Sequence, residues 1–134
     1  MSDQNRKQAH IDICLEQEVE RGNPGFDGFR LMPESLPEMT LLDASTESFF
    51  LGKRLRYPFI IGSMSGGVGG EFKFNHRLAR AAQKAGVALA LGSLRPALED
   101  SSYLSEYDVR SRVPDVPLLG NISAWQLREL SLRD

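Results

Sequence analysis

Residues 59–70 read FIIGSMSGGVGG, and this stretch indicates the fold class. A short continuous apolar run leads into a glycine-rich turn, and a helical pattern follows over residues 74–85. The apolar residues of that pattern fall on one helical face, and Gly86 is placed to end the helix. They are Phe74, Leu78, Ala81, Ala82 and Ala85. A strand, a glycine turn and an amphipathic helix in succession predict a βα unit.

Further apolar runs at residues 87–91 and 117–120 continue the same pattern. Near-continuous apolar strands are typical of a parallel sheet that is covered on both faces. Residues 101–112 are predicted to form a weaker helix that Pro114 ends, and residues 124–132 begin another helix. Residues 58–134 are therefore predicted to form an α/β region of about three βα units.

Residues 1–57 are predicted to form a distinct N-terminal region that begins with a helix. Ile11, Cys14, Leu15 and Val19 repeat at helical spacing, which predicts a helix from Asn5 to about Val19. Asn5 and Gln8 are its expected capping pair.

Prolines and glycines over residues 22–37 predict an irregular connection after that helix. Residues 48–51 and 54–57 then flank Gly52-Lys53, a plausible two-residue turn. A small hairpin is therefore expected to lead into the α/β region.

The composition excludes several classes of function. A net charge of -2, with 25% charged and 41% hydrophobic residues, gives no support to bulk nucleic-acid or membrane binding. The apolar runs are too short to span a bilayer and the N-terminus is polar, so a cytoplasmic protein is expected. The single cysteine, Cys14, cannot form an internal disulfide, and no His or Cys spacing predicts a metal site.

The glycine-rich loop lies between a predicted strand and the N-terminus of a predicted helix, where exposed N–H groups favour an anion. No Lys-Ser or Lys-Thr follows it, so it is not a P-loop, and Phe72 occupies the last glycine position of the dinucleotide-binding pattern. A flexible turn without a ligand is the alternative interpretation.

Small or polar residues follow each predicted strand, and the carboxyl ends of parallel strands meet at one edge of a sheet. Ser65, Ser93 and Asn121 are therefore candidates for the polar edges of a planar cofactor. Arg95 offers a forked cation for a phosphate. Taken singly, such a serine is usually a turn residue and such an arginine a solvated charge.

The basic pair Arg6-Lys7 lies near the start of the first predicted helix, where cations oppose the helix dipole. An anionic ligand would remove that conflict, and His10 lies one turn after Arg6 on the same face. An ordinary solvated basic N-terminus is the alternative.

Five motifs resemble, in order and spacing, the type 2 isopentenyl diphosphate isomerases. They are Arg6-Lys7-x-x-His10-Ile11, Phe50-Leu51-Gly52-Lys53-x-Leu55, Ile61-Gly62-Ser63-Met64-Ser65-Gly66-Gly67, Gly92-Ser93-x-Arg95 and Asn121-Ile122. The resemblance implies the N-terminal part of an FMN-dependent TIM (β/α)8 barrel that interconverts isopentenyl and dimethylallyl diphosphate in isoprenoid biosynthesis. It also implies a reduced flavin supplied by NAD(P)H, a divalent metal, usually Mg2+, and a homo-oligomer.

The same resemblance implies roles for individual residues. Arg6, Lys7, His10, Ser93 and Arg95 would bind the substrate diphosphate. The residues that would line the FMN are Ser63, Met64, Ser65, Ser93 and Asn121.

This sequence departs from the family pattern at several positions. Leu94 stands where the family usually has Gln, and Ser65 and Ser123 stand where it usually has Thr and Gly. A closed barrel typically needs about 250 residues, so we expect an incomplete barrel that is inactive as an isolated fragment. The metal-binding Glu of the family has no counterpart here, so no metal site is expected on this chain.

Three other interpretations remain open. The chain could be a non-catalytic remnant that binds phosphate or flavin, a small α/β module for another phosphorylated ligand, or a different FMN-dependent barrel oxidoreductase. Arg6-Lys7-x-x-His10 argues against the last, because a diphosphate clamp before the barrel has no obvious use in hydroxy-acid oxidation.

Overall fold

The computed structural model describes residues 3–64 and 74–129, with side chains from residue 8 to residue 128 within those ranges. The expectations for Ser65, the rest of the glycine-rich loop and residues 130–132 lie outside the described residues. The described residues form the strands β1 (Ser48–Phe50), β2 (Lys53–Leu55), β3 (Ile60–Ile61), β4 (Ala88–Ser93) and β5 (Leu118–Asn121). The helices in these ranges are α1 (Asp3–Glu16), α2 (Phe74–Ala85), α3 (Arg95–Glu99), α4 (Leu104–Tyr107) and α5 (Ala124–Glu129).

A parallel sheet in the order β3-β4-β5 forms the centre of the α/β fold, as the apolar runs predict. Ile60 pairs with Ala88, and Leu89 pairs with Leu118. Because β4 is the middle strand, its residues are the most deeply buried, and Leu89 is fully inaccessible to solvent. The barrel itself stays a prediction.

Helix α2 occupies the predicted range, but its buried face is rotated from the predicted one. Asn75, Ala79 and Ala82 are buried, whereas Ala81 of the predicted stripe is exposed. Small side chains on this face allow the helix to lie close to the sheet, because they place little volume between the two backbones. Gly86 then ends the helix with a positive φ of 71°.

The predicted hairpin is present, with its turn one residue earlier than expected. β1 and β2 pair antiparallel, with Phe50 opposite Lys53, so Leu51 and Gly52 form the turn. Both have positive φ, 49° and 74°, as a type I′ hairpin turn requires. Leu55 of β2 is 2% exposed and packs in the hydrophobic core, which joins the hairpin to it.

The first helix begins and ends earlier than predicted. α1 covers Asp3–Glu16, so Asn5 lies inside the helix and does not cap it, and Val19 lies beyond its end. Leu15 is 80% exposed, so the predicted apolar stripe is not buried in this structure.

The prediction of one helix over residues 101–112 is wrong. The chain forms a 3-10 turn at Ser101–Tyr103, then α4, then a second 3-10 turn at Arg110–Arg112. Tyr107 and Val109 are both buried. A helix would place residues two apart on different faces, so the backbone leaves the helical conformation at Asp108, with φ −77° and ψ 78°.

One hydrophobic cluster joins the sheet, α2 and the segment between β4 and β5. Its members are Leu55, Ala79, Ala82, Val87, Ala88, Leu89, Leu91, Ala97, Tyr107, Val109, Val113 and Val116. The irregular connection before β1 contributes little to it, since Leu31, Met32 and Leu42 are each more than 90% exposed. Within the described ranges, no helix is both long and apolar enough to cross a bilayer.

Candidate functional site

The ends of β3 and β5 meet through two of the predicted site residues. Asn121 Nδ2 donates a hydrogen bond to Ser63 Oγ at 2.5 Å, and Ser63 Oγ donates to the Leu91 carbonyl of β4 at 2.6 Å. These bonds tie the carboxyl ends of the three strands together. Ser63 and Asn121 are nevertheless exposed, so their polar atoms face a surface that a ligand can reach.

The end of β4 carries two more predicted site residues, Ser93 and Arg95. The register of the β4–β5 ladder shifts between Ala90 and Ser93, after which Ser93 pairs with Asn121. The Leu94 amide donates to the Asn121 carbonyl at 2.9 Å, so the turn after β4 is fastened to the end of β5. Ser93 thereby lies beside Asn121 at the edge that also holds Ser63.

Arg95 begins α3, and its side chain forms an ion pair with Glu99 one turn later. Arg95 Nε lies 3.3 Å from Glu99 Oε1, and the two side chains are 42% and 62% exposed. At this exposure the ion pair contributes about 0.3–0.5 kcal/mol. Its effect on a ligand is more important, because a phosphate at Arg95 would compete with a carboxylate already in place.

Leu94, which departs from the family pattern, packs against the backbone of the next strand. A Cβ on Gly120 would lie 3.4 Å from Leu94 Cδ1. The side chain therefore fills space between the ends of β4 and β5, and it offers a ligand no hydrogen bond.

The remaining predicted site residues are less closely tied to the strand ends. Met64 follows Ser63 and is 55% exposed. His10 is exposed on α1, and within the described side chains no hydrogen bond or ion pair joins it to a strand end. Arg6 and Lys7 lie in α1, with side chains outside the described set. Ser65 also lies outside the described residues.

A shallow cavity of about 240 Å³ lies away from these residues. It is lined by Glu47, Arg54, Arg56, Gln83, Gly86, Asp115 and Val116. Gly86 comes just before β4, so this cavity adjoins the amino end of the sheet. Its charged and polar groups are largely paired, Arg54 with Glu47 and Gln83 with Asp115. We therefore place the candidate site at the carboxyl edge, where α/β folds bind their ligands.

The charged groups in the described part of the site are Arg95 and its ion-pair partner Glu99. Within residues 8–64 and 74–128, no group of three His, Cys, Asp or Glu side chains is arranged to hold a metal ion. Asp100 follows α3, and the Ser102 backbone N–H, with a smaller side-chain contribution from Ser102, lowers the pKa of its carboxyl. That carboxylate caps the following turn.

Two residues that support the site were not predicted from the sequence. Tyr107 donates a hydrogen bond to the Ser93 carbonyl at 2.8 Å, and Glu99 holds Arg95. The sequence did contain a signal for the Glu99 contact, because Arg95 and Glu99 lie one helical turn apart. Nothing in the sequence near Tyr107 indicates its contact with Ser93.

The fold and these strand ends define an α/β protein with a polar, solvent-accessible edge suited to a small anionic or planar ligand. No protein-family model matches the sequence. A protein of Rickettsia rickettsii (strain Sheila Smith) named isopentenyl-diphosphate delta-isomerase is 43% identical over 132 residues, which is 95% of this chain and 39% of the relative. A relative of the same name from Rickettsia bellii (strain RML369-C) is 44% identical over 128 residues, 95% of this chain and 37% of the relative.

The chain therefore spans less than two fifths of the length of these relatives. Almost all of it is similar to isopentenyl-diphosphate delta-isomerases, which is consistent with an N-terminal portion of such a protein. The resemblance inferred from the motifs is confirmed at this level. The flavin-dependent type stays a prediction.

Proposed function

We propose that this chain serves the isomerisation of isopentenyl diphosphate to dimethylallyl diphosphate, as the N-terminal part of a type 2, FMN-dependent isomerase. The observation that carries the proposal is the 43% identity over 95% of the chain to a relative named isopentenyl-diphosphate delta-isomerase. The arrangement of Ser63, Ser93 and Asn121 at one edge of the parallel sheet supports it.

The diphosphate is assigned to the basic residues. Arg95 presents a guanidinium, whose planar set of N–H donors matches phosphate oxygens. A diphosphate carries more negative charge than the Glu99 carboxylate, so it competes effectively for Arg95. Arg6, Lys7 and His10 would supply further positive charge and hydrogen bonds from α1, and Ser93 a hydroxyl between the substrate and the cofactor.

The residues at the strand ends fit a flavin. The edge of its ring system presents hydrogen-bond acceptors and an N–H donor, and Ser63 and Asn121 offer donors and acceptors at an exposed position. Beside them the half-exposed Met64 provides a polarisable apolar surface suited to the face of an aromatic ring. When bound, reduced FMN would supply proton transfer to and from the substrate alkene without net redox change.

The chain's own residues would then bind and orient. Holding the charged tail of a small apolar alkene fixes its reactive end against the cofactor, and such positioning lowers the barrier of a reaction. The proposal assigns no metal ligand to this chain. The requirements for Mg2+ and NAD(P)H, and a homo-oligomeric state, rest on the resemblance to the type 2 enzymes.

FMN uptake tests the cofactor assignment. We expect the purified chain to quench flavin fluorescence, and Asn121→Ala to weaken binding about fivefold, the effect of losing one hydrogen bond of about 1 kcal/mol. Asn23→Ala is the matched control, since Asn23 bonds to Asp27 in the irregular connection, far along the chain from the strand ends. No FMN uptake, or equal affinities of the two variants, would contradict the assignment.

A non-catalytic protein that binds flavin or phosphate is the second candidate. It is favoured by Leu94, whose apolar side chain packs toward Gly120 and offers a ligand at the strand ends no hydrogen bond. It predicts FMN uptake without isomerisation under any condition.

A further inference from the structure

The end of β4 departs from regular strand geometry at the point where it reaches the candidate site. The pairing with β5 shifts between Ala90 and Ser93. Irregularities of this kind are frequent beside active sites, where they redirect a side chain. A redirected strand end needs other contacts to hold it, because the regular ladder of hydrogen bonds is interrupted there.

Tyr107 provides such a contact from outside the sheet. Its hydroxyl donates to the Ser93 carbonyl at 2.8 Å, and the residue is only 7% exposed. The ring belongs to the hydrophobic core together with Val109 and Leu91. A buried tyrosine whose hydroxyl is bonded to main chain has little freedom to move, so it fixes the position of the carbonyl.

Two further hydrogen bonds connect the Ser93 carbonyl, which Tyr107 holds, to the orientation of the Ser93 hydroxyl and of Arg95. The Leu94 amide donates to the Asn121 carbonyl at 2.9 Å, and the Arg95 amide donates to Ser93 Oγ at 3.3 Å. The second bond occupies an acceptor position of the Ser93 hydroxyl, which leaves its O–H to donate to a ligand. The orientation of Ser93 and the start of α3 at Arg95 are therefore set by one turn.

We propose that Tyr107 is a positioning residue for diphosphate binding, which it serves by holding the Ser93 carbonyl and so fixing Ser93 and Arg95. This inference rests on the proposed function, since that function assigns Ser93 and Arg95 to the diphosphate. Tyr107 contacts neither substrate nor cofactor itself. Its hydroxyl acts through the backbone of the turn, and its ring acts in the core.

Tyr107→Phe separates the two parts of the side chain, because it removes the hydroxyl and keeps the ring. The probe is inorganic pyrophosphate, titrated into the full chain by calorimetry. We expect Tyr107→Phe to weaken pyrophosphate binding by up to about fivefold, because binding must then restore the order of the turn that the lost hydrogen bond provided. We also expect the amides of Leu94 and Arg95 to exchange with solvent faster in this variant.

Tyr57→Phe is the control. Tyr57 is an exposed tyrosine that follows β2, and the loss of its hydroxyl should leave pyrophosphate affinity and the exchange of both amides unchanged. Urea unfolding of both variants separates positioning from folding. A purely structural role for Tyr107 would lower the unfolding midpoint and leave the affinity of the folded fraction unchanged, which would overturn the proposal.

The outcomes also separate this inference from the proposed function. If the unaltered chain binds pyrophosphate and Tyr107→Phe binds it equally well, the positioning role is refuted and the diphosphate assignment stands. If the unaltered chain binds no pyrophosphate, both are refuted.

Discussion

Gly86→Ala is the substitution whose effect on stability can be worked out most directly from the structure. Gly86 has φ +71°, a conformation that costs a residue with a Cβ about 1–2 kcal/mol. An added Cβ would also lie 2.8 Å from Arg56 Cβ, so the chain after β2 must move. That movement strains the 2.8 Å hydrogen bond from the Arg56 amide to the Gly86 carbonyl, a bond that contributes about 1 kcal/mol.

The lower entropy of the unfolded chain with alanine offsets about 0.4–1 kcal/mol of this cost. We therefore expect Gly86→Ala to lower the free energy of unfolding by about 1–2.5 kcal/mol. The strain arises where α2, β4 and the hairpin meet. The measured loss of stability therefore tests whether the hairpin packs against the α/β region as the structure shows.

Urea unfolding followed by far-ultraviolet circular dichroism measures the effect. With a slope of about 1–3 kcal/mol per molar urea, the midpoint should fall by about 0.3–2.5 M. Gly28→Ala is the control, because Gly28 lacks a positive φ and a Cβ there would meet nothing within 4 Å. It should stay within about 0.5 kcal/mol of the unaltered chain. Equal midpoints for the two variants would refute the reasoning.

Two further predictions concern the site and the turn after α3. Arg6→Ala should weaken pyrophosphate binding and leave FMN uptake intact, with Arg21→Ala as control; loss of both ligands would count against the assigned roles. The pKa of the Asp100 carboxyl is lower in the folded chain than its ordinary value of 3.8. The ionised carboxyl therefore stabilises the fold at pH values above 3.8, and this stabilisation is lost as the pH falls through the folded-state pKa. Asp100→Asn should therefore reduce stability at neutral pH and flatten the acid side of the curve of unfolding midpoint against pH, whereas an unchanged curve would contradict the cap.

The parts of the fold that the sequence predicts are those set by local pattern. Helix α2 lies where it is expected, because the signals that predict it are local. Leu78, Ala82 and Ala85 recur at helical spacing, and Gly86 follows directly as the terminator. The break at Asp108 is set by the burial of both Tyr107 and Val109 in a core that distant segments form. Helix α3 was missed as well, although Pro96 in its first turn is a typical start signal.

The candidate site also has a part that the sequence predicts and a part that it does not. Ser63, Ser93 and Asn121 could be grouped from the sequence, because the carboxyl ends of parallel strands share one edge. The bond between Ser63 and Asn121 and the ion pair of Arg95 with Glu99 depend on side-chain conformations that only the folded chain shows. The contact of Tyr107 with Ser93 depends on the irregular path between β4 and β5, which no sequence periodicity describes.

The most direct test of the central claim is the isomerisation reaction itself. The chain is mixed with the portion of the Rickettsia bellii relative that it does not match, together with reduced FMN, Mg2+ and isopentenyl diphosphate. Proton NMR then follows the second vinylic methyl signal that dimethylallyl diphosphate gains. We predict that this signal grows only when both polypeptides are present, with the whole relative as positive control. No conversion in a mixture that has taken up FMN would contradict the account and favour a non-catalytic flavin-binding protein.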